Sequence, residues 1–88
     1  MDLGLRGRRA AVAAATAGLG LATARALIAE GAEVAICGRD PQRLERAAAE
    51  LGPQAHPIRA DLSGADDAGR FVTEAIERLG GLDILVAN

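Results

Sequence analysis

Gly18 and Gly20 lie one residue apart in the stretch Arg9 to Gly31, RAAVAAATAGLGLATARALIAEG, between an apolar run and a helix-forming run. Glycines there have a definite chemical use. The first N–H groups of a helix have no partner within it, and the helix dipole places partial positive charge at that end, so the turn can hold a phosphate. With no side chain at Gly18 or Gly20, a pyrophosphate can come close to the backbone. A pair of glycines at a helix start also serves as an ordinary entry turn in any α/β protein, so its meaning depends on the elements around it.

Those elements can be read in order. Residues 1 to 8 are a polar lead-in, and Arg9 to Ala14 is a short strand, apolar on both faces as in a buried parallel sheet. Leu19 to Glu30 is a helix of strong formers, with Ala22 and Ala26 as a small-residue face suited to lying on the sheet. Gly31 fits the residue just past its end. Glu33 to Cys37 is the second strand. Asp40 is then a good N-cap and Pro41 a good first helical residue. Leu44, Ala47, Ala48 and Leu51 form the buried stripe of that helix, which Gly52 and Pro53 stop.

Ala55 to Ala60 is the third strand, and Pro57 inside it predicts a sheet edge, because proline cannot donate to a ladder. Ser63 is read as the cap of a long helix, with Asp66 as its capping-box-like partner. Val72, Ala75, Ile76 and Leu79 are its expected buried stripe, and Gly80-Gly81 ends it. Leu82 to Val86 is a fourth strand. The alternation β-α-β-α-β-α-β predicts an α/β fold, a Rossmann-type doubly wound parallel sheet with order 3-2-1-4. A ligand then belongs at the carboxyl ends of strands one and four, where the winding reverses. The free flank of the fourth strand makes the sheet look unfinished.

Composition narrows the chemistry. The 88 residues carry a formal charge of −2, which allows one domain and offers no basic excess for nucleic acid. No apolar run is long enough to span a membrane and no signal peptide is seen, so no membrane partner is expected and the plain expectation is a cytoplasmic protein. The single Cys37 excludes an internal disulfide and a cysteine metal cluster, and it fits as a small core residue. His56 has no partner at ligand spacing and is read as a surface residue, so no metal site is expected. Phe71 is read as packing and the Arg6-Arg8-Arg9 cluster as solvated. There is no Lys, Tyr or Trp; all ten basic residues are Arg, and Ser63 is the only serine.

With those residues in view, the chain resembles the short-chain dehydrogenase/reductase family, and within it the 3-oxoacyl-acyl-carrier-protein-reductase-like members. The family's Thr-Gly-x-x-x-Gly-x-Gly motif falls on Ala13 to Gly20, AAATAGLG. Gly18 and Gly20 match, Thr16 stands where the family often has Ser, and Ala13 and Ala14 replace the first Thr and Gly. Asp61-Leu62 matches the pair that reads the adenine, and Val86-Ala87-Asn88 is similar to the Asn-Asn-Ala-Gly motif, with Asn88 on the second Asn. The resemblance covers the whole chain. It implies that residues 1–88 are the N-terminal part of a single dinucleotide-binding domain, incomplete at its C-terminus. It implies cofactor contacts at Ala14, Thr16, Gly18, Leu19, Gly20, Arg39, Asp61, Leu62 and Asn88.

The family's use of the second strand's end suggests which cofactor. An acidic residue there would bond a ribose 2′-OH and select NAD. Here the position is Gly38, followed by Arg39, whose guanidinium can pair with a 2′-phosphate, so NADP(H) is favoured over NAD(H). A solvated loop charge is the plainer use of Arg39, and helix capping is the plainer use of Asp40. The family passes hydride between nicotinamide and a carbonyl or alcohol carbon of a small molecule, with a Tyr acid/base, a Lys and a Ser. No catalytic residue is assigned in this chain: Tyr and Lys do not occur, and Ser63 comes too early. The resemblance further implies a homo-oligomer, commonly a tetramer. The rival reading is a nucleotide-sensing Rossmann module without chemistry, motivated by Ala14 and the missing Tyr and Lys. A methyl-donor or flavin site on a similar fold is a third.

Overall fold

A computed structural model describes residues 4–87 of the chain; Asn88 lies outside the described residues. Seven elements alternate along it: β1 (Arg9–Val12), α1 (Gly18–Ala29), β2 (Glu33–Gly38), α2 (Pro41–Leu51), β3 (Ala55–Arg59), α3 (Ala65–Leu79) and β4 (Ile84–Val86). The strands form one parallel sheet in the order β3-β2-β1-β4, as the alternation and Pro57 require. Among the described residues no helix is long and apolar enough to cross a membrane.

Strand periodicity divides the core in two. Ala10, Val12, Val34 and Ile36 meet Ala24 of α1 and Leu44, Ala47 and Leu51 of α2 on one face. Ala11, Ala13, Ala35, Cys37 and Ile58 meet Phe71 and Ala75 of α3 on the other. The central strands are therefore buried on both sides, which is why they carry no polar side chain between Ala10 and Val12 or Val34 and Cys37.

Several expected details shift. β1 stops at Val12 rather than Ala14, because Ala14 turns the chain with φ 53°. The face of α1 that meets the sheet carries Gly20 and Ala24, while Ala22 and Ala26 are exposed. On α3, Phe71 and Ala75 are buried and Ile76 is 44% exposed, so the stripe is turned toward Phe71. Pairing of β4 begins at Ile84 rather than Leu82. Its Leu85 is 54% exposed on a strand paired only with β1 among the described residues.

The arginines do more than face solvent. Arg9 donates from its backbone N to Asp83 Oδ2 at 2.9 Å and from Nη1 to the Gly80 carbonyl at 2.9 Å, tying the start of β1 to the turn before β4. Arg8 Nη1 lies 3.9 Å from Asp83 Oδ1. These bonds hold the Asp83 carboxyl below its usual range, the Arg9 amide contributing most. The expected solvated cluster is thus partly structural. Arg78 and Arg70 of α3 donate to the Pro57 and Arg59 carbonyls at 2.8 and 2.7 Å, which occupies acceptors on edge strand β3. His56 is half-buried rather than a plain surface residue, with Nε2 at 2.9 Å from Glu33 Oε1 on the neighbouring strand.

Candidate functional site

The segments that follow β1, β2 and β3 converge on one rim of the sheet, and hydrogen bonds fix them there. Ala15 N donates to the Cys37 carbonyl at 3.2 Å, and Ala60 N donates to the Gly38 carbonyl at 3.1 Å. Between them opens a cleft of about 310 Å³ lined by Ala14, Thr16, Cys37, Gly38, Arg39, Ala60, Asp61, Leu62 and Ser63. Of the residues expected to contact a cofactor, Ala14, Thr16, Arg39, Asp61 and Leu62 are brought together here. Gly18, Leu19 and Gly20 form the first turn of α1 beside it. Asn88 lies outside the described residues.

The two glycines have different jobs. Gly18 adopts φ +60°, a left-handed conformation, and a Cβ there would meet no atom within 4 Å, so the space over it is open. Gly20 is buried. A Cβ on it would run into the Ala14 carbonyl oxygen and approach Ala14 C and Ala15 Cα at 3.1 Å. Gly20 therefore lets the loop lie on the helix, and only Gly18 leaves the close approach for a ligand that both were expected to give. Ala14 is the sole non-glycine with positive φ among the described residues. An L-residue there carries about 1 kcal/mol of backbone strain that the family's glycine would not.

The first turn of α1 is open to a ligand. Its N-cap Ala17 is extended and offers no side-chain acceptor, and no acidic residue lies in the turn. Leu19 is 73% exposed. Peptide N–H groups and the positive end of the helix dipole thus face out unopposed.

The walls of the cleft explain two residue choices. A Cβ on Gly38 would come within 2.5 Å of Thr16 Cγ2, so Thr16 packs into the space a longer residue at 38 would take. Cys37 is buried, and burial raises its thiol pKa against the opposing effect of the Ala14 amide, which suits packing rather than reactivity. Asp61 Oδ1 accepts from the Ser63 amide at 3.1 Å and the Ser63 hydroxyl at 2.7 Å; Oδ2 accepts from no described residue. The Ser63 hydroxyl bond is the main reason the Asp61 carboxyl sits below its ordinary range, with Arg39 adding a smaller Coulombic effect.

This overturns the expected capping of α3. Gly64, not Ser63, is its N-cap, without a side-chain bond, and Ser63 is held by Asp61. Ser63 donates its hydroxyl to the Asp61 carboxylate in a charge-assisted bond, and the helix begins one residue later than the capping pattern predicts. Asp67 rather than Asp66 is the engaged acid of the first turn, accepting the Asp61 amide at 2.8 Å.

Gly38 was read from sequence as the position of the missing acid, whereas Arg59, Ala60, Cys37 and Ser63 were not read as site residues. Arg59 had one usable signal, its position two residues before Asp61, but what brings it to Arg39 is the pairing of Arg59 with Gly38 across β2 and β3. Beyond the cleft, Arg39, Arg59, Ala60, Asp61, Asp67 and Arg70 line an adjoining groove of about 500 Å³.

Known proteins are similar to this chain. A family model described as short chain dehydrogenase matches residues 8–88. Glucose 1-dehydrogenase of Gluconobacter oxydans is 41% identical over 86 residues, covering 93% of this chain and 32% of that protein. Nodulation protein G of Rhizobium sp. is 43% identical over 84 residues, covering 96% and 34%. The crystal structure of 3-ketoacyl-(acyl-carrier-protein) reductase from Brucella melitensis, complexed with NADH, superposes with TM-score 0.85 at 36% identity, covering 92% of this chain and 33% of that one. The chain spans about a third of the length of these relatives. A matching sheet order, the glycine loop and a family match over nearly all its residues place this chain in the short-chain dehydrogenase/reductase family.

Proposed function

We propose that the chain is the N-terminal, dinucleotide-binding part of a longer NADP(H)-dependent oxidoreductase acting on a small carbonyl or alcohol substrate. The observation that carries this is the cleft at the sheet rim, where α1 presents an uncapped N-terminus and Arg39 follows a glycine rather than an acid. When bound, a nicotinamide supplies the hydride. The residues of this chain bind and orient. The Gly18 and Leu19 amides hold the pyrophosphate, and Asp61 Oδ2 is available to accept the adenine amine. Thr16 and Ala14 flank the ribose, and Arg39 takes the 2′-phosphate by a charge-assisted contact. The expected contact of Asn88 with the cofactor belongs to the same proposal.

The sequence has no Tyr or Lys, so a proton donor of the family's Tyr–Lys type lies outside these residues. That fits a chain that spans about a third of its relatives, and substrate pocket and oligomer contacts are assigned to the remainder. The lack of Tyr and Lys equally favours the second reading, a nucleotide sensor without chemistry. Titrating the full-length protein with NADPH and NADH tests the cofactor assignment. NADPH should bind at least about tenfold tighter, and Arg39→Asp should reverse the order. Equal affinities, or a ratio unmoved by Arg39→Asp, would remove it.

A further inference from the structure

We propose that Arg59 is a second anion ligand, sharing the 2′-phosphate of the dinucleotide with Arg39 and so helping set cofactor preference. This rests on the NADP(H) reading above and extends it to a residue on a different strand. Strand register carries it. Arg59 pairs with Gly38, and the bond from Ala60 N to the Gly38 carbonyl fixes the two chain segments at 3.1 Å. The residue after Gly38 is Arg39, where β2 has ended, so two arginines distant in sequence come to the same rim. Both line the groove of about 500 Å³ that adjoins the cleft, and both are exposed.

The charges around the groove differ in what they are already doing. Arg70 is engaged: its Nε lies 3.6 Å from Asp67 Oδ1, its Nη1 donates to Glu74 at 3.0 Å and its Nη2 to the Arg59 carbonyl. Asp67 accepts the Asp61 amide, and Asp61 accepts from Ser63. Among the described residues neither the Arg39 nor the Arg59 guanidinium has a carboxylate within 4 Å, and Arg39 acts on Asp61 only through a Coulombic effect. The two acids oppose an incoming anion, but their charge is partly satisfied by their own amide and hydroxyl donors. Two unengaged guanidiniums in one groove suit a phosphate monoester dianion, which has three oxygens to share and a charge that a single arginine does not balance. An adenosine lacking the 2′-phosphate would leave both in water at little cost.

The test uses the full-length protein and two probes that need no catalysis, 2′-AMP and 5′-AMP, each displacing a fluorescent nucleotide. Arg59→Ala and Arg39→Ala should each weaken 2′-AMP about tenfold while 5′-AMP stays within about twofold. Arg59→Gln, which keeps most of the side chain's length, should behave like Arg59→Ala, and far-UV circular dichroism of each variant should match the parent. If Arg39→Ala lowers the 2′-AMP preference and neither Arg59 variant does, the role of Arg59 is overturned and the NADP(H) reading stands. If no variant changes the preference, both fall.

Discussion

The N-terminus of α1 and that of α2 begin two similar helices on the same face of the sheet, yet they treat their first amides differently. At α2, Asp40 Oδ1 accepts from the Gln42 amide at 2.9 Å and the Arg43 amide at 3.4 Å, and Pro41 removes a third donor. The chain satisfies its own helix. At α1, Ala17 caps nothing and the turn holds no acid. A Ser, Thr, Asn or Asp at an N-cap is worth about 1 kcal/mol over Ala, so α1 forgoes that stabilisation. The contrast is one of free donors: α1 starts on the sheet rim beside the cleft and, unlike α2, has no side-chain acceptor of its own.

The largest expected effect separates the two glycines of the α1 turn. Gly20→Ala drives a methyl into the Ala14 carbonyl and should destabilise the full-length protein by about 3 kcal/mol in urea unfolding. Gly18→Ala meets open space and should cost only about 1 kcal/mol, from its positive φ. Equal costs would mean that the loop does not lie on the helix as described.

A smaller change makes α1 resemble α2. Ala17→Asp installs an internal acceptor and should stabilise the fold by about 1 kcal/mol while weakening NADPH binding at least about tenfold. Asp40→Ala should do the reverse at α2, losing about 1 kcal/mol with NADPH affinity within about twofold. Calorimetry of the two variants reads both quantities. A gain in stability at Ala17→Asp without loss of binding would break the comparison.

The smallest effect comes from acid. Asp61, before α3, and Asp67, in its first turn, have carboxyl groups held below their usual range, Asp61 chiefly by the Ser63 hydroxyl and Asp67 chiefly by the Asp61 amide. A carboxyl with a lowered folded-state pKa stabilises above its unfolded value, and that contribution is lost as pH falls through the folded value. The window therefore lies below about pH 4. On acidification in that range, the amide resonances of Asp61 and Ser63 should shift with these carboxyls. Those of Gly18, Leu19 and Gly20 should not follow them, because no acid lies in their turn. Concerted movement of both sets would show that α1 has an acidic partner.

Much of the architecture was legible along the chain because it follows from local rules. Pro57 cannot donate to a ladder, so β3 had to be an edge; Asp40-Pro41 marks a helix start by covalent geometry alone; alternating short runs require parallel strands with helical crossovers. The glycine loop and Asp61 could be located by motif for the same reason. Where two local choices competed, sequence alone misassigned them. Ser63 looked like a cap, but its hydroxyl donates to Asp61 and Gly64 holds the cap position, and the buried stripe of α3 runs through Phe71 and Ala75 rather than Ile76.

Residue order, then, determined the elements, their sequence of winding and the place of the phosphate-type turn, since each depends on neighbours within a few positions. Tertiary structure alone decided that Gly20 lets the loop lie on the helix while the space over Gly18 stays open, that Thr16 occupies the space above Gly38, and that Arg59 lines one groove with Arg39. Those facts depend on strand register and on how closely a helix lies on a sheet. Both are set by the packing of side chains far apart in sequence, which no local pattern encodes.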